Sequence, residues 1–127
     1  MSHIGHFKPA FSTGGIDAKA TGATTIGTTR DSGERFVPLY VVVELTAAAA
    51  LTIVPTISVG TNGASYNNLL VATALTGISA TNNVVILAIP PSVITSVPPG
   101  TPIKVNITIG ATATTATVRV DVVGYYI

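Results

Sequence analysis

Ile103-Lys104-Val105-Asn106-Ile107-Thr108-Ile109 and, a short connection later, Thr117-Val118-Arg119-Val120-Asp121-Val122 carry the pattern that decides the fold. In the first stretch Ile103, Val105, Ile107 and Ile109 oppose Lys104, Asn106 and Thr108; in the second Val118, Val120 and Val122 oppose Thr117, Arg119 and Asp121. A period of two puts the apolar side chains on one side of an extended backbone, which is the pattern of a half-buried strand. With residues 110–115 as the connection, the two stretches are expected to pair as antiparallel neighbours.

The same alternation runs outward from that pair. Leu39, Val41, Val43 and Leu45 fall on one face, with Tyr40, Val42 and Glu44 on the other. Leu51, Ile53, Ile57 and Val59 oppose Thr52, Thr56 and Ser58, so a strand is expected over residues 51–59, and Asn62-Gly63 marks the tight turn after it. Residues 67–76 fit a strand better than a helical turn. Residues 84–89, Val-Val-Ile-Leu-Ala-Ile, have no polar face. Such a strand is either central and covered on both sides, or its second face meets another subunit. Pro90-Pro91 and Pro98-Pro99-Gly100 bracket a loop, because proline removes ladder donors. Short strands at this spacing predict an all-β antiparallel sandwich, a jelly roll or a related Greek key.

Composition agrees. Of the 127 residues 47% are hydrophobic and only 9% charged, against a usual charged share of roughly 25%. The surface must therefore be covered by uncharged groups, which 20 Thr and 8 Ser supply. Thr is β-branched and suits a pleated, half-exposed surface. Glu, Lys, Arg and Gln are too scarce to solvate the outer face of an amphipathic helix.

Charge divides the chain in two. Lys8, Asp17, Lys19, Arg30, Asp31, Glu34 and Arg35 place seven of the eleven charges before residue 36, and none lies between Glu44 and Lys104. Residues 1–35 also hold Gly14, Gly15, Gly22, Gly27 and Gly33 and keep no period. They are expected to form an extended N-terminal arm that docks on a partner, with residues 36–127 as the sandwich domain. Ile4, Phe7, Phe11 and Ile16 are its apolar anchors, and Arg30 and Arg35 supply planar forks for carboxylates on a neighbouring subunit. On this reading the sandwich buries its core without residues 1–35.

The chemistry-bearing residues point away from catalysis, and no enzyme activity or cofactor is expected. Both histidines, His3 and His6, lie in the first six residues, far from any rigid triad, and two ligands fall short of the four of a structural zinc site. Glu44 and Asp121 are the only carboxylates in the sandwich region, each on an ordinary strand. Asp121 instead sits two residues from Arg119 on one face, where they can form an ion pair. A net charge of +1 without a basic cluster gives no footprint for nucleic acid or anionic lipid. The start of the chain lacks the apolar core of a secretory signal, and no stretch approaches the ~20 apolar residues of a spanning helix. The uncharged span between Glu44 and Lys104 is hard for a monomer to cover, so self-association is expected, with Val84, Ile86 and Ile89 at the oligomer interface.

Ile57-Ser58-Val59-Gly60, Tyr66-Asn67-Asn68, Leu75-Thr76-Gly77 and residues 117–126 together resemble small β-sandwich virion proteins of tailed bacteriophages, above all the capsid decoration (cement) proteins. The resemblance implies a structural protein that binds the capsid exterior and bridges major capsid subunits. It also implies a homotrimer, an extended arm, and assembly in the host cytoplasm. A tail or fibre receptor-binding module and a carbohydrate-binding module are the alternatives. Sugar sites commonly stack rings on aromatic faces, but the chain has no Trp, and Tyr125 and Tyr126 are adjacent on one strand and turn to opposite faces.

Overall fold

Alternation of β-branched residues, interrupted by glycine and proline, builds strands throughout the computed structural model, which describes residues 10–90 and 96–127. In chain order these are β1 (Phe11–Asp17), β2 (Gly22–Thr28), β3 (Phe36–Ala49), β4 (Thr56–Gly60), β5 (Leu70–Ala74), β6 (Val84–Ala88), β7 (Pro102–Ile109) and β8 (Thr115–Tyr126). They form two four-stranded sheets, ordered β1-β8-β3-β6 and β2-β7-β4-β5, and every pairing is antiparallel. First pairs with last, second with seventh, third with sixth and fourth with fifth, as when one long hairpin is wrapped into two layers. That is the strand order of a jelly roll.

The core lies between the sheets. From one come Val41, Val43, Leu45, Val118, Val120 and Val122; from the other come Ile57, Val59, Ile103, Val105 and Ile107. All are buried. The facing read from alternation therefore holds for β3, β7 and β8.

Their pairing does not. β8 pairs with β1 and β3, whereas β7 pairs with β2 and β4 in the opposite sheet. Residues 110–114 cross from layer to layer instead of turning back in one. The Ala111 N–H donates to the Ala18 carbonyl at 2.8 Å, and a β-carbon on Gly110 would overlap the Lys19 carbonyl. The crossing chain is thus held against the β1–β2 corner. Ile109, beyond the last inward residue of β7, is exposed.

Two other boundaries shift. The strand expected over residues 51–59 begins only at Thr56, because Pro55 has no N–H to give a ladder. Ile53 is exposed and forms an isolated bridge to Thr112. After β4 the turn at Asn62 is present, with the Tyr66 N–H donating to the Asn62 carbonyl at 2.9 Å. Asn62 Oδ1 accepts from the N–H groups of Asn67 and Asn68 at 2.8 and 3.2 Å. The loop folds back over β4, burying Ser58, and Gly60 leaves no room for a β-carbon against Asn67 and Tyr66.

The largest correction concerns residues 1–35. Residues 11–17 and 22–28 are edge strands of the two sheets, and Ile16, Ala18 and Ile26 belong to the core. Bulges between Thr13 and Ile16 and between Thr25 and Gly27 break the period of two, which is why no strand is visible there by alternation. Phe11 packs edge-on against Phe36 with centroids 5.0 Å apart. Gly27 has no β-carbon where the Phe11 ring lies over it. The boundary expected at residue 35 therefore falls inside the packed domain.

Candidate interaction surface

Side chains of β3, β6 and β8 that do not point into the core form the outer face of the first sheet. Register sets them in three rows. Ala88, Tyr40 and Val123 form one; Ile86, Val42, Asp121 and Ser12 the next; Val84, Glu44 and Arg119 the third. The face is apolar towards β6 and polar towards β1. Tyr40, Val42, Ile86 and Val123 line a shallow apolar hollow. Tyr40, Val84 and Ile86 remain 43%, 51% and 65% exposed, so this flank is an apolar patch that the described residues leave uncovered.

The polar half is a connected network. Ser12 Oγ donates to Asp121 Oδ1 at 2.5 Å. Arg119 Nη2 meets Glu44 Oε1 at 2.7 Å, while its Nε lies 3.6 Å from Asp121 Oδ1. The Arg119–Asp121 proximity agrees with the sequence, but Glu44, directly opposite Arg119 on β3, is the nearer partner. One guanidinium thus links both carboxylates of the sandwich region. Among the described residues no group of three His, Asp or Glu side chains converges as a metal site would require.

Of the residues expected at an oligomer interface, Val84 and Ile86 lie side by side on this face. Ile89 does not. It shares the parity of Val85 and Leu87, which turn inward, and it is buried in the core. Tyr40, Val42 and Val123 complete the patch. The alternation of β3 already placed Tyr40 and Val42 on one face, but only the pairing of β3 with β6 and β8 shows that their neighbours are apolar too.

The docking residues expected in the arm are dispersed. Ile4 and Phe7 lie outside the described residues. Ile16 is in the core and Phe11 packs against it. Arg30 reaches Glu34 at 3.0 Å and stacks 3.7 Å above the Tyr126 ring, whose hydroxyl accepts from the Arg30 N–H at 3.0 Å. Arg35 donates from Nε to Ser96 Oγ at 2.6 Å and from Nη2 to the Ser96 carbonyl at 3.0 Å. Both forks tie the segment before β3 to the rest of this chain. Tyr126 rests on Phe36 at 5.1 Å, while Tyr125 is exposed, so the two rings form no common platform.

No family model and no curated protein matches the sequence. The fold is similar to chains in three phage capsid structures. In the acidic stable capsid structure of Helicobacter pylori bacteriophage KHP30 the similarity has a TM-score of 0.57 at 13% identity, over 96% of this chain and 95% of that one. In the cyanophage Pam1 capsid asymmetric unit the TM-score is 0.54 at 21% identity, over 98% and 91%. In the capsid of Ralstonia phage GP4 it is 0.58 at 17% identity, over 97% and 84%. At such identities the common property is the fold, and it extends over nearly the whole chain.

Proposed function

We propose that this chain is a structural protein of a phage virion that decorates the capsid exterior and stabilises it by bridging major capsid subunits, without catalytic activity. The observation that carries the reading is whole-chain similarity of fold to chains from three separate phage capsids. A role in assembly fits a surface with little charge and an apolar patch that the described residues leave uncovered. The hollow lined by Tyr40, Val42, Ile86 and Val123 would seat apolar side chains of a capsid subunit. The Glu44–Arg119–Asp121 network beside it would fix orientation, since charges at an interface rim contribute more to specificity than to affinity. With Phe11, Ile16, Arg30 and Arg35 engaged within the chain, Ile4 and Phe7 are what remains of the proposed docking arm.

The test is addition of the protein to capsids of its own phage assembled without it, read by pelleting and by the temperature of genome release. The expected result is saturable binding and a higher release temperature, with binding at least tenfold weaker for Val42→Thr combined with Tyr40→Ser. Absence of binding at micromolar concentration would defeat the capsid reading.

A further inference from the structure

Among the described residues the two sheets end in four edge strands, β1, β6, β2 and β5, and an unpaired edge invites pairing with another chain unless something blunts it. Three of the four are irregular. The ladders of β1, β2 and β5 each contain a register shift, between Thr13 and Ile16, Thr25 and Gly27, and Ile57 and Val59 respectively. β6 pairs with β3 without one, over Tyr40↔Ala88 to Glu44↔Val84. It contains no charge, proline or glycine.

Hydrogen-bond parity identifies which groups the free edge presents. Ile89 N–H donates to the Leu39 carbonyl and Leu45 N–H to the Asn83 carbonyl, both at 2.9 Å. In an antiparallel ladder the residues bonded to the neighbour alternate with residues bonded away from it. Residues 85 and 87 therefore bond to β3, and Val84, Ile86 and Ala88 aim their N–H and C=O groups outward. Among the described residues nothing bonds to these groups. The same three residues carry the exposed side chains of the strand.

We propose that β6 pairs with β6 of a second copy of this chain, antiparallel about a two-fold axis at Ile86, joining the two first sheets into one eight-stranded sheet. A two-fold axis sets each residue against its own kind or its mirror position. Ile86 then exchanges N–H···O=C bonds with Ile86 of the other copy, and Val84 with Ala88 in both directions. Three residues, each with one donor and one acceptor per copy, make six bonds and leave no edge group of these residues unpaired. A two-fold contact opposes equal charges wherever they lie on its axis, so an edge without charge suits a second copy better than a charged partner. The order implied is two, in place of the threefold assembly expected from the sequence. This does not depend on the capsid reading, because the test uses the isolated protein.

The measurement is sedimentation equilibrium from about 1 to 500 µM, with amide hydrogen exchange at both ends of that range. A shift towards twice the 12.8 kDa monomer mass is expected, with a dissociation constant on the order of tens of micromolar, as suits a small interface. Exchange at Val84, Ile86 and Ala88 should slow with concentration, whereas Val85 and Leu87, already bonded to β3, should not change. Ile86→Lys sets two cations across the axis and should weaken association more than tenfold. Ile86→Pro removes the central outward donor without removing a bond to β3, and should do the same. Val71→Lys on the edge strand β5 is the control and should leave the mass unchanged. A monomer throughout, a trimer, or a dimer whose exchange at Val84, Ile86 and Ala88 is independent of concentration would each overturn the proposal.

Discussion

Val42 and Val43 are neighbours on β3, chemically identical and both in apolar company, yet they belong to different surfaces. Val43 is fully buried among the side chains of both sheets. Val42 faces outward between Ile86 and Asp121 and is only partly covered. Burial on the inner face gives the domain its stability. The apolar half of the outer face adds little to folding and is free to act in association. An apolar residue is thus informative about function only when its partners have been found and something is missing from among them.

Three changes test that division, beginning with the most damaging. Deletion of residues 1–28 removes an edge strand from each sheet, with Ile16, Ala18 and Ile26 from the core, and should abolish cooperative thermal unfolding. Retention of a sharp transition would restore the arm that the sequence suggested. The next is one substitution at two adjacent sites. Val43→Thr buries a hydroxyl and should cost about 1–3 kcal/mol, while Val42→Thr should stay within about 0.5 kcal/mol; equal melting temperatures would erase the distinction between faces. Smallest is Arg119→Met, which releases Glu44 and Asp121 from a partly exposed guanidinium and should cost about 1 kcal/mol or less. Denaturant titrations at low and about 1 M salt should show that cost shrinking as the charges are screened.

What could be read in advance follows the same division. Val41, Val43 and Leu45, then Ile103, Val105 and Ile107, then Val118, Val120 and Val122, were assignable to the interior because alternation encodes the side of a strand on which a residue lies. It does not encode which strand lies alongside, so β7 and β8, adjacent in sequence, were expected to pair although they stand in opposite layers. β1 and β2 escaped for a local reason. Gly14 and Gly15 and the bulges beside them destroy the period, while the residues that reveal burial, Ile16, Ala18 and Ile26, are too few and too widely spaced to form a pattern. The apolar patch was half legible: Val84 and Ile86 stood out in an uninterrupted run, but Tyr40, Val42 and Val123 join them only through cross-strand register. Ile89 was misplaced because a run that is apolar at every position conceals its own parity.

The position of β8 has a consequence in time. It lies between β1 and β3, so the first sheet has no centre until the ribosome has passed Tyr126. Until then, among the described residues, β1 lacks its only strand partner and β3 one of its two, and the 77 residues from 50 to 126 must be made between completion of β3 and completion of β8. Folding governed by such distant pairing is slow and exposes sticky surface while it waits. With only 9% of its residues charged, the nascent chain has little electrostatic protection while it waits for β8.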